Sequence, residues 1–79
     1  MGTKAESNTS PLHPTASLIL VAIDQYTCKH GYAPTIRDIV TLVGLSSTSV
    51  VSYHLRRLEK RGYLTRERYH ARTIQLLDV

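Results

Sequence analysis

Three apolar stripes at the helical spacing i, i+3, i+4, i+7 run through this 79-residue chain, each closed by a glycine, and together they leave room for little besides a small helical bundle. The first stripe is Ile19, Ala22, Ile23 and Tyr26, stopped by Gly31 after Lys29 and His30. Cations at the negative end of a helix dipole, followed by a residue free to turn left-handed, are both helix-ending signals. Thr15 is the expected N-cap at its start. The second stripe is Ile36, Ile39, Val40 and Val43. Ala33-Pro34 forces an extended step before it, Thr35 with Asp38 three residues on forms a capping box, and Gly44 ends it after about two turns. The third is Val51, His54, Leu55 and Leu58, with Ser46, Ser47 or Thr48 able to serve as N-cap and Gly62 closing it after Lys60-Arg61.

Beyond Gly62 the period changes from helical to alternating. Tyr63-Leu64-Thr65 and Thr73-Ile74-Gln75-Leu76 are rich in β-branched and aromatic residues and predict the two strands of a hairpin. Its loop falls near Tyr69-His70-Ala71, where no Asn-Gly or Asp-Gly pair sets a tight turn. The expected fold class is therefore mainly α with a small β-hairpin, one domain over residues 15–79. Residues 1–14 hold Gly, Ser, Asn, Thr and two prolines with almost no large apolar side chain, which predicts a disordered N-terminal tail.

Composition excludes several classes. Cys28 is the only cysteine, so no internal disulfide can form, which fits a reducing cytoplasm. The longest apolar run, Leu18 to Ile23, is far short of the roughly 20 residues that cross a bilayer, and it lacks the basic flank and cleavage site of a signal peptide. A soluble, cytoplasmic protein is expected. Cys28 and His30, with His13 and His70 distant, lack the paired spacing of a zinc site. No Ser/His/Asp arrangement, glycine-rich phosphate loop or carboxylate pair stands out, so neither an enzyme nor a bound cofactor or metal is expected.

Charge is more informative than composition. The formal net charge is +4, and seven of the ten Lys and Arg residues lie between positions 56 and 72: Arg56, Arg57, Lys60, Arg61, Arg66, Arg68 and Arg72. Only Glu59 and Glu67 oppose them there, whereas the first 55 residues are balanced. A confined basic footprint of this kind suits a polyanion.

Two helices joined at Gly44, then a third helix and a two-stranded ribbon, is the element order of a three-helix winged helix-turn-helix. On the third helix, about 47–61, Ser49, Ser52, Tyr53, Arg56 and Lys60 fall on the face opposite the apolar stripe. A helix fits the major groove, with its N-terminal residues at base edges and its flanks on phosphates. Ser47, Thr48, Ser49 and Ser52 are short enough to let the backbone approach. Tyr53 can pack on a thymine methyl or bond a phosphate, and Arg56 and Arg57 suit backbone charge or a guanine. The wing adds Arg66, Arg68 and Arg72 with His70 near its tip, placed either along the backbone or in the adjacent minor groove. By alternation Arg66 and Arg68 share the face of Leu64 and are expected to emerge beyond the edge of the core. His54, on the apolar stripe, is expected to be a core residue.

From about Thr15 to Leu77 the chain resembles the N-terminal DNA-binding domain of LexA-type repressors. The resemblance is carried by His30-Gly31-Tyr32-Ala33-Pro34-Thr35-Ile36-Arg37-Asp38-Ile39, by Leu42-Val43-Gly44-Leu45-Ser46-Ser47, by Val51-Ser52-Tyr53-His54-Leu55-Arg56-Arg57-Leu58 and by Arg61-Gly62-Tyr63-Leu64. It implies a sequence-specific repressor that binds double-stranded DNA, two copies on a palindromic operator, with base reading by Ser47, Ser49, Val50, Ser52 and Tyr53. Thr48-Ser49 and Ser52-Tyr53 stand where the family typically has a proline-asparagine pair and two glutamates, so the docking mode is implied and the operator sequence is not. The family's self-cleaving serine-lysine protease domain, which also dimerises, has no counterpart in these residues. The alternative expectation is a winged-helix module for protein assembly that makes no specific contact with DNA.

Overall fold

The computed structural model describes residues 12–67 and 70–77. Three helices and a two-stranded antiparallel sheet follow one another in the chain: α1 (Pro14–His30), α2 (Ile36–Val43), α3 (Thr48–Lys60), β1 (Leu64–Thr65) and β2 (Gln75–Leu76). The expected order of elements is the observed one. Most of the expected tail, along with Arg68 and Tyr69 of the wing, lies outside the described residues.

Helix α1 begins at Pro14, ahead of the Thr15 cap that the hydroxyl suggested. Its N-cap is His13, whose Nδ1 accepts the backbone N–H of Thr15 at 3.0 Å, and the proline occupies a first-turn position where a missing N–H costs nothing. Helix α2 starts with the full capping box: Thr35 Oγ1 accepts from the Asp38 N–H at 3.1 Å, and Asp38 Oδ2 accepts from the Thr35 N–H at 3.0 Å.

Gly44 (φ 81°) ends α2 and turns the chain toward α3, with the N–H groups of Gly44 and Leu45 both bonded to the Val40 carbonyl. Gly62 (φ 82°) ends α3 in a full Schellman arrangement: its N–H bonds to the Glu59 carbonyl, and that of Tyr63 to the Leu58 carbonyl. A side chain at either position would clash with its own backbone, which is why glycine falls at both.

The core is a single cluster in which Ile19 and Ile23 of α1, Ile39 of α2, Val51, Leu55 and Leu58 of α3, and Leu64 of β1 are fully or almost fully buried. Ala16, Ala33 and Ile74 complete it, and Leu12 packs at its edge. On α1 the buried line is Ala16, Ile19 and Ile23, with Tyr26 only half-buried and Leu18 and Val21 facing out at 56% and 51% exposure. The sheet pairs Leu64 with Leu76 and Thr65 with Gln75, and the Leu77 N–H extends it to the Tyr63 carbonyl. Each strand is two residues long. The longer runs expected from alternation stop where Arg66 turns back toward α3 and Thr73 becomes a loop fastener. Thr73 Oγ1 accepts the Glu67 N–H at 2.9 Å and lies 3.1–3.2 Å from the carbonyls of His70 and Glu67, closing the base of the wing loop. Among the described residues no helix is long and apolar enough to cross a membrane.

Candidate nucleic-acid interface

The residues that define the interface are fixed by the face of α3 that the core does not take. Val51, His54, Leu55 and Leu58 turn inward, and Ser49, Tyr53, Arg56 and Lys60 are exposed on the other side, with Ser52 half-buried beside them. At 1.5 Å per residue, Ser49 to Lys60 is a strip about 16 Å long. Its N-terminal end carries hydroxyls and its C-terminal end carries cations.

The start of α3 is open. Ser47 is the N-cap residue, yet no side chain makes a cap hydrogen bond there, and Ser46, Ser47, Thr48 and Ser49 are all exposed. The hydroxyl cluster is therefore not consumed by capping. The free N–H groups of the first turn, at the positive end of the helix dipole, favour an anion or a base-edge acceptor. Val50 is half-buried between this end and the core.

Farther along, Tyr53 is 50% exposed, in a T-shaped contact with the His54 ring at 5.2 Å between centroids and with the Arg57 guanidinium 5.7 Å from its own centroid. Tyr53, Arg56, Arg57, Glu59 and Lys60 line a shallow depression. Arg56 and Lys60 make no ion pair or side-chain hydrogen bond with another described residue, so their charge is available to a ligand. Among the described residues no group of His, Cys, Asp and Glu could hold a metal ion.

His54 is buried, as expected of a stripe residue, and is 7% exposed. Its ring lies between Tyr53 and His13, the latter at 5.0 Å, so the N-cap of α1 touches the inner edge of α3. Burial pushes its imidazole below the ordinary value, and the positive potential of His13 and Arg57 acts in the same direction.

The wing arginines do not stand where alternation put them. Arg66 does not emerge beyond the core edge: β1 ends at Thr65, and the Arg66 side chain folds against α3 with Nε donating to Glu59 Oε1 at 3.1 Å, leaving it 12% exposed. Arg72 folds back over the surface of the α1–α2 junction and stays exposed. Its Nη1 donates to Tyr26 Oη (3.2 Å), the Ala33 carbonyl (3.1 Å) and Asp38 Oδ2 (3.3 Å), and its guanidinium stands 4.8 Å from the Tyr32 ring centroid. His70 is exposed near the wing tip, 4.0 Å from the Glu67 carboxylate. The structure thus gathers Ser47, Thr48, Ser49, Val50, Ser52, Tyr53, Arg56, Arg57 and Lys60 at one helix, and ties Arg66 and Arg72 to other elements of the fold, Arg66 largely buried and Arg72 still 41% exposed. Arg68 lies outside the described residues.

Local pattern could not show where those two arginines go, because their partners lie 7 and up to 46 residues away in sequence. The open N-cap was also invisible, since four hydroxyl residues in a row read as capping material.

A helix whose inner face completes the core, whose outer face offers hydroxyls and then cations, and which is followed by a short ribbon, makes this domain a winged helix-turn-helix of the DNA-binding class. Residues 9–73 match the LexA DNA binding domain, and the chain belongs to that family. Among curated proteins it is similar to the LexA repressor of Corynebacterium jeikeium, 52% identical over 58 residues, covering 73% of this chain and 22% of the relative. The LexA repressor of Carboxydothermus hydrogenoformans is 48% identical over 59 residues, 75% of this chain and 29% of the relative. That of Herpetosiphon aurantiacus is 48% identical over 56 residues, 71% and 26%. The chain spans about a quarter of the length of these relatives.

Proposed function

We propose that this chain is the sequence-reading module of a transcriptional repressor, binding a specific double-stranded DNA site with α3 in the major groove. The observation that carries the reading is the outer face of α3, where an uncapped, hydroxyl-rich N-terminus leads into the half-exposed Tyr53 ring and into Arg56 and Lys60, whose charges no described residue pairs. In this reading Ser47, Thr48, Ser49, Val50, Ser52 and Tyr53 face base edges. Arg56, Arg57 and Lys60 meet the phosphates on either side, and His70 approaches the backbone from the wing. The module acts by occupancy, with no catalytic step. Two copies on a palindrome, with half-sites about one or two helical turns apart, are the arrangement that a single small reading head needs to select a site from a genome.

Selection of binding sites from random duplexes tests this reading. A recovered consensus with two-fold symmetry is the expected result. Affinity for it should fall by orders of magnitude between about 50 and 200 mM salt, as several lost phosphate contacts require. Recovery of no consensus, with affinity indifferent to salt, overturns the reading.

A further inference from the structure

Arg72 is the one described non-glycine residue with a positive φ, 61°. A residue with a side chain holds that conformation when its surroundings over-determine it. The left-handed turn throws the side chain back across the molecule. The guanidinium lands on acceptors from Tyr26 of α1, from Ala33 in the α1–α2 connection and from Asp38 of α2, with Tyr32 beneath it. The receiving surface is itself braced. Tyr26 meets Tyr32 edge-on at 5.9 Å and His30 at 4.1 Å. Asp38 Oδ2, the oxygen that caps α2, is the one that takes Arg72.

From the other side, Arg66 fastens the exit of β1 to Glu59 near the end of α3. The wing is thus fastened on both sides of its loop, to α3 by Arg66 just after β1 and to the α1–α2 junction by Arg72 in the turn before β2. All three acceptors are met by the one nitrogen Nη1, and the rest of the guanidinium stands over the Tyr32 ring, a stacking contact that a lysine ammonium lacks.

We propose that Arg72 is a positioning residue for DNA binding: it latches the wing to α1 and α2, holds the ribbon at a fixed angle to α3, and makes no contact with DNA itself. The proposal rests on the DNA-binding reading above. A wing fixed in advance does not have to be ordered when DNA arrives, so the latch contributes affinity without adding a phosphate contact. Because α3 is untouched by it, the latch bears on how tightly the domain binds and not on which bases it prefers.

The test compares the wild-type chain with Arg72→Ala, Arg72→Lys and Tyr26→Phe on the selected duplex across a salt series, well below the thermal transition of each. Tyr26→Phe keeps the ring and the arginine charge while deleting one acceptor. The latch predicts that Arg72→Ala and Arg72→Lys each lose roughly five- to tenfold in affinity, that Tyr26→Phe loses measurably, and that all three keep the wild-type salt slope and consensus. It also predicts faster amide exchange at Glu67 and Leu77 in all three proteins without DNA.

A fall of about one in the salt slope for Arg72→Ala, with Tyr26→Phe binding as wild type, identifies a direct phosphate contact and overturns the proposal. Wild-type affinity in all three variants overturns it as well. If the wild-type chain binds no duplex, the DNA reading fails and the positioning role goes with it, whereas amide exchange still reports whether Arg72 holds the wing.

Discussion

Arg66 donates from Nε to Glu59 Oε1 at 3.1 Å, with the two side chains 12% and 25% exposed, and this bond joins α3 to the wing. The pair ties together two elements that both face DNA in the proposed mode. Partial burial raises such a pair above the surface median, so Glu59→Gln and Arg66→Ala are each expected to cost about 1 kcal/mol. Their double variant is expected to cost less than the sum. Urea unfolding of the four proteins of this cycle measures the coupling, and strict additivity shows that the bond contributes nothing.

The His54 imidazole predicts a pH dependence with a definite sign. Its folded value lies below the ordinary 6.5, so the unfolded chain binds the proton more readily than the folded one. The stability associated with this group is complete above pH 6.5 and is lost as pH falls from there through the folded value. Thermal unfolding between pH 7.5 and 5 is expected to show that decline, and His54→Gln is expected to flatten it. A decline of the same size in the variant assigns it to another group.

Asp38 shows the opposite chemistry with the same outcome in acid. The Thr35 backbone N–H holds its carboxyl below the ordinary 3.8, the Thr35 hydroxyl, Arg72 and Tyr26 add to this, and burial opposes them. Its contribution is present above pH 3.8 and disappears as pH falls through the folded value, so Asp38→Asn is expected to show a shallower acid limb below pH 4. Thr35→Ala removes a cap hydrogen bond and is expected to cost about 1 kcal/mol at neutral pH. Circular dichroism across an acid titration checks both.

Gly62→Ala isolates backbone strain from packing. A Cβ at this position meets nothing within 4 Å, yet φ is 82°, so the penalty is purely conformational and is expected to be about 1 kcal/mol. Gly62→Asn is expected to cost less, since asparagine tolerates the left-handed region. Equal stability of all three proteins in urea means that the end of α3 has moved.

On DNA, Tyr53→Ala is expected to lose about 1–3 kcal/mol on the selected site and to relax preference at one base position. Tyr53→Phe separates ring packing on a thymine methyl from a hydroxyl bond to phosphate. Binding of the selected site by Tyr53→Ala at wild-type strength removes this face of α3 from the proposed contact.

What could be read from the sequence was what depends on near neighbours. The three stripes, the Thr35 capping box and the stops at Gly31, Gly44 and Gly62 are decided within a turn or two of chain; α2 begins at that box and all three helices end at or just before those glycines. His13 escaped notice because a histidine is a rare N-cap, and it took the place that Thr15 suggested. Tyr26 reads as core by spacing but serves as an acceptor at the core's rim, since its partner Arg72 arrives 46 residues later. Periodicity could not foresee that a left-handed turn would lay Arg72 across the α1–α2 junction, so an arginine that counts toward a basic wing in sequence is bonded to Tyr26, Ala33 and Asp38 in the fold.

The open start of α3 separates two kinds of information in one helix. Ser49 and Ser52 make no side-chain hydrogen bond with another described residue, whereas Val51 and Leu55, interleaved with them, are completely buried. Substitutions can accumulate at the two serines with little effect on folding, and in the proposed mode each would alter the surface that DNA meets. If that mode holds, a lineage carrying this scaffold can shift the sequence it reads in single mutational steps, without first acquiring a stabilising change elsewhere.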